Sequence, residues 1–231
     1  AGVAAHGDPL PAVTRDAVRQ ADAVLLGAVG DPSLDSAPRH LKPETGLLAL
    51  RALLGVYANL RPVAIHPALA DSSPVRPERL AGTDMVIVRE LTGGLYYGEP
   101  RSNDGTTAVN TLRYTRTEIE RIARLGFELA KGRRRKLLSV DKANVLETSQ
   151  LWRQVVTAMA SAYPEVQLEH IYVDYAAMRL VSDPASIDVL PAIKEAVGNR
   201  AAIILDSGVR SGIDAARALA LGADAAFAGK A

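Results

Sequence analysis

The chain of 231 residues is 48% hydrophobic and 23% charged, enough apolar material for a core in one large or two modest domains. Its 27 Lys and Arg against 26 Asp and Glu leave a formal net charge of +1, so no global field recruits nucleic acid or an anionic membrane. Zero cysteines exclude disulfides, thiolate metal sites and a cysteine nucleophile and fit a reducing, cytoplasmic setting, and no apolar run approaches the roughly 20 residues of a membrane span.

The sequence opens Ala1-Gly2-Val3 with neither an initiator Met nor a signal-peptide pattern, which reads as a start inside a longer sequence. Apolar runs of strand length then alternate with longer amphipathic segments, the pattern of an α/β architecture with buried strands. In chain order the predicted strands are Ala23–Leu26, Val63–Ile65, Met85–Val88, Lys136–Val140, Leu168–Val173 and Ile203–Leu205. The clearest helix starts at Thr115, where Thr115 and Glu118 have capping-box spacing and Ile119, Ile122, Ala123 and Leu129 share one face, and it runs to about Lys131. The basic run Lys131–Lys136 follows, where cations at a helix C-terminus favour the macrodipole and stay in solvent. A second helix is predicted over Thr148–Ala162, with Leu151, Val155, Val156 and Met159 as its apolar stripe and Trp152 as a packing residue at its edge. There are no internal repeats and no low-complexity segments.

Candidate chemistry concentrates in two stretches, Val88–Pro100 and Val140–Leu146, which hold Arg89, Tyr96 and Lys142. Guanidinium groups bind carboxylates through paired, charge-assisted hydrogen bonds, but any one of Arg51, Arg61 and Arg89 alone reads as a surface or ion-pair residue. Tyrosine and lysine titrate near 10 in isolation, so Tyr96 and Lys142 need burial or neighbouring charge to act at neutral pH. The four histidines, His6, His40, His66 and His170, lack ligand spacing and read as structural or surface residues. Neither Ser139 nor Ser149 has a His and Asp pattern around it that would make a nucleophile.

Residues 1 to about 190 resemble the middle of the 3-isopropylmalate dehydrogenases of the isocitrate/isopropylmalate dehydrogenase family. The likeness runs through Gly7-Asp8-Pro9-Leu10-Pro11, Asp22–Gly27, Pro43–Arg51, Asn59-Leu60-Arg61-Pro62, the two stretches above, Tyr163-Pro164 and Tyr172-Val173-Asp174. It implies the central part of that α/β fold, and a homodimer that carries out NAD-dependent oxidative decarboxylation of 3-isopropylmalate in leucine biosynthesis with Mg²⁺ or Mn²⁺. By the same resemblance Arg51, Arg61 and Arg89 hold substrate, and Tyr96 is the acid that protonates carbon. Lys142 acts with it from the partner subunit, and Asp174 reaches substrate and metal from across the dimer. Leu47, with Leu48, faces the isopropyl group, where burying an unpaired carboxylate would be costly. Glu44 lies near the nicotinamide.

The chain departs from that family in three places. No Gly-Asp-x-x-x-Ser-Asp stretch follows Ile187-Asp188-Val189, which leaves the metal carboxylates incomplete. The family's first strand with its Gly-Asp-Gly-Ile-Gly-Pro loop and its adenosine-binding loop are also not in the sequence. The expectation is dehydrogenase activity impaired or absent in this chain alone, with a non-catalytic fragment, folding and dimerising through about residues 60 to 190, as the rival. Residues 191–231 resemble instead the C-terminal end of the FMN-dependent α-hydroxy-acid dehydrogenases, through Asp206, Gly208, Arg210, Gly229 and Lys230. That implies a βαβ piece of a TIM-barrel type with phosphate-binding backbone groups, but two strands of eight close no barrel, and FMN is not expected. The predicted organisation is therefore residues 1–190 and 191–231, joined in Ser186–Pro191 as in a chimera of two partial reading frames.

Overall fold

A computed structural model describes residues 2–27, 29–66, 68 and 72–187, and the backbone of Ile204–Leu205 and Ala225–Ala226. The chain forms two compact units, Ala1–Val56 with Ile193–Ala231, and Tyr57–Ala192. In the first, α1 (Gly2–His6), α2 (Ala12–Gln20) and α3 (Pro43–Leu54) precede the short parallel pair β7 (Ile204–Leu205) and β8 (Ala225–Ala226), numbered after six strands of the second unit. Leu10, Val18 and Leu50 form the apolar contact between α2 and α3, with Leu26 and Leu53 against them. Helix α3 starts with Pro43, whose fixed φ suits a first turn, and stops at Gly55 in a left-handed conformation (φ +63°).

The expected strand Ala23–Leu26 does not form: the segment has no ladder partner among the described residues, and Leu25 stays 47% exposed. Apolar composition predicted a buried strand there, but a strand exists only where a neighbour accepts its backbone groups. Asp206, Gly208, Arg210, Gly229 and Lys230 lie outside the described residues.

The second unit begins with β1 (Ala58–Ala64), α4 (Pro77–Leu80) and β2 (Asp84–Glu90); β1 and β2 pair antiparallel with Asn59 opposite Arg89 and Arg61 opposite Ile87. A hairpin of β3 (Arg101–Asn103) and β4 (Ala108–Asn110) follows. Then come α5 (Arg116–Lys131), β5 (Lys136–Asp141), α6 (Glu147–Ala160), β6 (Gln167–Tyr172) and α7 (Val173–Ser182), with β5 and β6 parallel and Asp141 opposite Tyr172. Helix α5 has the predicted capping box, Thr115 Oγ1 accepting from Glu118 N–H at 3.3 Å while Glu118 Oε2 accepts from Thr115 N–H at 2.7 Å. Its apolar stripe meets α6 in a core of Ile119, Phe127, Val155 and Val156, where Phe127 stacks on Tyr163 at 4.7 Å. Burying a phenylalanine fully is worth about 1.5–3 kcal/mol, and Phe127 is 0% exposed. Trp152 packs against the same core and donates to Ser139 Oγ at 3.3 Å.

The strands are less buried than their apolar runs imply, because among the described residues they form separate two-stranded ladders instead of one continuous sheet. Met85–Val88 of β2 and Leu137–Val140 of β5 line a shared apolar cavity of about 320 Å³ beneath α5. The basic run after α5 is not wholly solvated either: the Arg133 side chain is 3% exposed, 3.8 Å from Asp84, and burial pushes its guanidinium down to about 10. Glycine inside α5 at position 126 costs helix stability, and a Cβ there would meet Leu137 Cδ1 at 3.4 Å, an ordinary contact. Gly126→Ala is therefore expected to raise unfolding free energy by about 0.5–1 kcal/mol in a denaturant melt.

Candidate functional site

Glu44, Leu47 and Arg51 lie on α3 at spacings of three and four residues, so they share one stripe, with Glu44 exposed in the first turn and Leu47 and Arg51 half-buried. The other candidates belong to the second unit and fall into two clusters.

The first cluster grows from the β1–β2 ladder. Arg61 and Asn59 share a face with Arg89, which stands opposite Asn59, so the two arginines are diagonal neighbours with the asparagine between them. Arg61 Nε donates to Asn59 Oδ1 at 2.8 Å, and Arg89 Nη2 donates to the Tyr96 hydroxyl at 3.1 Å with its guanidinium 5.5 Å from the ring centroid. Tyr96, 50% exposed, sits on a short helical turn after Gly93 and Gly94. Gly94 has φ +74°, and a Cβ on it would lie 2.5 Å from the Tyr114 hydroxyl, so a side chain at 94 would displace the turn. Tyr114 is itself held by the core, and burial together with the Glu90 carboxylate raises its hydroxyl above the usual range.

Glu90, which follows Arg89, is the buried anchor of this cluster. Its side chain is 2% exposed; Oε1 accepts from Arg121 Nη2 at 2.5 Å and from Thr92 Oγ1 at 3.0 Å, and Oε2 accepts from Gly93 N–H at 2.7 Å. Arg121 reaches down from α5 and lies over the Tyr57 ring at 4.7 Å. A single carboxylate thus ties the end of β2 to the glycine turn that presents Tyr96.

The second cluster is at the C-terminal ends of β5 and β6, where α/β units place functional groups. Lys142 leaves β5, Asp174 lies in the first turn of α7, and Lys142 Nζ donates to Asp174 Oδ1 at 2.5 Å. The ammonium holds the Asp174 carboxyl below its ordinary range. Asp141, directly before Lys142, is buried and paired with Arg153 of α6. Thr157 Oγ1 lies 2.9 Å from His170 Nε2, and His170 Nδ1 lies 3.9 Å from Asp141 Oδ2. Hydroxyl, imidazole and carboxylate in that order suggest a nucleophile, but 3.9 Å is no hydrogen bond and Arg153 occupies both carboxylate oxygens. Burial and the Arg153 charge push the His170 imidazole below its usual value, and Asp141 opposes them.

The structure thus groups Arg61, Arg89 and Tyr96, and separately Lys142 with Asp174; Glu44, Leu47 and Arg51 are described within their own unit. Glu90, Arg121, Asp141 and Arg153 were not singled out from the sequence. Their signal is a carboxylate beside a cation at the end of an apolar strand, Arg89-Glu90 and Asp141-Lys142, with an arginine on the following helix. Among the described residues no group of three His, Cys, Asp or Glu could hold a metal ion. No described helix is long and apolar enough to cross a membrane.

Residues 1–195 match the isocitrate/isopropylmalate dehydrogenase family, and residues 176–231 match the FMN-dependent dehydrogenase family. The chain is 56% identical over 191 residues to the 3-isopropylmalate dehydrogenase of Thermosynechococcus vestitus, covering 80% of this chain and 53% of that protein. Among solved structures, the TT0538 protein from Thermus thermophilus superposes with a TM-score of 0.68 at 29% identity, covering 80% of this chain and 36% of that one. Isocitrate dehydrogenase from Methylococcus capsulatus gives a TM-score of 0.66 at 30% identity, covering 80% and 52%. The chain spans about half the length of the curated relatives it matches.

Two outcomes test the electrostatics. Arg121→Met strands the Glu90 carboxylate and is expected to cost about 2–4 kcal/mol, below the loss for a fully enclosed pair because Arg121 is 34% exposed, measured by denaturant unfolding. For His170, the unfolded state binds a proton more readily than the folded state, so stability falls as pH drops below the ordinary value of 6.5 and levels off below the folded value. His170→Gln is expected to remove that loss, read as the difference between wild-type and variant unfolding free energies across a pH series.

Proposed function

The chain belongs to the isocitrate/isopropylmalate dehydrogenase family, and on that premise we propose that it serves NAD-dependent oxidative decarboxylation of 3-isopropylmalate, a step of leucine biosynthesis, in a cytoplasmic homodimer. The observation that carries this reading is the cluster of Arg61, Arg89 and Tyr96, which sets two guanidinium groups and a phenol hydroxyl on one exposed face. The reaction removes a hydride from the substrate's hydroxyl carbon and a proton from its oxygen, releases carbon dioxide and returns a proton to carbon. Arg61 and Arg89 take carboxylate as guanidinium forks do, and by likeness to the family Arg51, in its own unit, is a further substrate residue. Tyr96 delivers the proton to carbon, its hydroxyl oriented by Arg89. Lys142 and Asp174 complete the site of the partner subunit; by likeness to the family Leu47 and Glu44, within their own unit, are the residues for the isopropyl group and the nicotinamide. NAD supplies the hydride acceptor when bound.

The divalent metal is a different matter. Mg²⁺ or Mn²⁺ takes several oxygen ligands, whereas Asp174 is a single carboxylate engaged by Lys142. The described residues of one chain do not fit that ion. Turnover by this chain alone is accordingly impaired in our reading. The second match, over residues 176–231, supports a smaller βαβ piece of TIM-barrel type at the C-terminal end, with which the parallel pairing of β7 and β8 is consistent.

Calorimetric titration with 3-isopropylmalate, run beside an assay of NADH formation with NAD and Mg²⁺, tests the proposal. The expected result is weak dicarboxylate binding that Arg89→Gln reduces about 10- to 100-fold, the cost of losing a charge-assisted fork, with slow NADH formation. Rapid turnover by the purified chain overturns the impairment. No binding at all favours the rival, a fragment that folds or dimerises without catalysis.

A further inference from the structure

Lys142 carries its ammonium on a flexible four-carbon stem, yet it meets Asp174, in the first turn of α7, at 2.5 Å. The backbone around it accounts for part of this. Asp141 Oδ1 accepts from Ala143 N–H at 2.9 Å, so the side chain before Lys142 holds the residue after it, and the Lys142 carbonyl accepts from Val145 and Leu146 N–H at 3.0 Å each. Position 142 is fixed from both sides by one buried carboxylate, and that carboxylate depends on its own partner.

That partner is Arg153. Its Nε donates to Asp141 Oδ2 and its Nη2 to Asp141 Oδ1, both at 2.9 Å, a bidentate fork onto a side chain that is 1% exposed. The same guanidinium lies over the Tyr172 ring, 4.9 Å from its centroid. Asp141 immediately precedes Lys142 on β5, and Tyr172 precedes Asp174 by two residues on β6, directly opposite Asp141 in the parallel register. One planar group from α6 therefore touches the end of β5 just before Lys142 and the end of β6 from which α7 starts. His170, 3.9 Å from Asp141, is the remaining titratable group facing this carboxylate among the described residues.

We propose that Arg153 is the positioning residue for Lys142 and Asp174, setting their separation by hydrogen bonding Asp141 on one strand and stacking on Tyr172 on the next. The proposal rests on the reading of Lys142 and Asp174 as site residues only for its functional meaning; the geometry stands without it. A planar fork is required because a lysine offers one point charge, which engages the carboxylate but not the ring in the same way.

Zero-length carbodiimide coupling joins only amines and carboxylates in contact, so in the full chain it reports the pair directly by peptide mass spectrometry. The partly exposed pair of Lys131 and Glu165, at 3.3 Å elsewhere in the same unit, is the internal reference. In Arg153→Met, with circular dichroism and the melting transition retained, the Lys142–Asp174 cross-link is expected to fall about tenfold relative to that reference, the lower end of what losing an orienting partner costs. Arg153→Lys is expected to restore part of it. General loosening would lower both cross-links together, and an unchanged ratio in a folded Arg153→Met overturns the proposal. Should that variant not fold, Tyr172→Leu removes only the stacking arm and is judged by the same ratio. Isopropylmalate binding, measured separately, decides the functional reading: a chain that loses the cross-link yet never binds substrate keeps the positioning role and loses the dehydrogenase one.

Discussion

A carboxylate buried at the end of a strand survives only if a cation meets it, and this chain uses that constraint twice. Glu90 closes β2 and Asp141 closes β5, each nearly inaccessible to water and each held by an arginine from the helix that follows. Removing a carboxylate from water costs several kcal/mol, which the guanidinium and neighbouring N–H groups must offset. The result is two stiff corners, one beside Arg89 and one beside Lys142. The candidate site cations Arg89 and Lys142 are adjacent in sequence to buried anions that face the core, and this adjacency lets flexible side chains leave the fold from fixed points.

Much of the second unit was legible in the sequence because its signals are local. The capping box at Thr115, the stripe of Ile119, Ile122 and Ala123, and the β-rich runs at Met85 and Lys136 each need only near neighbours to be interpreted. Ala23–Leu26 illustrates the limit: its composition suits a strand, but pairing is a property of two segments. Arg133 illustrates another, since a basic run looks the same whether its members point to water or into the protein. For the site, Arg89, Tyr96 and Lys142 could be picked out by spacing and resemblance. Arg121 and Arg153 could not, because their importance comes from reaching a carboxylate 31 and 12 residues away in the chain.

The chain belongs to the isocitrate/isopropylmalate dehydrogenase family and spans about half the length of the curated relatives it matches. The described residues bring arginine and tyrosine side chains together, whereas among them no group of three His, Cys, Asp or Glu could hold a metal ion. An arginine fork needs charge and direction without a closed coordination shell.

Helix α5 packs on both β2 and β5, and its Phe127 and Ile119 belong to the core shared with α6, while its Arg121 closes the Glu90 corner. The two ladders therefore have a common wall and no independent core of their own. Local opening of α5 would expose both at once, which makes the unit from Tyr57 onward a single cooperative block. Heat or denaturant would then dismantle the arginine–tyrosine face and the lysine–aspartate pair in the same transition, with no intermediate that keeps one and loses the other.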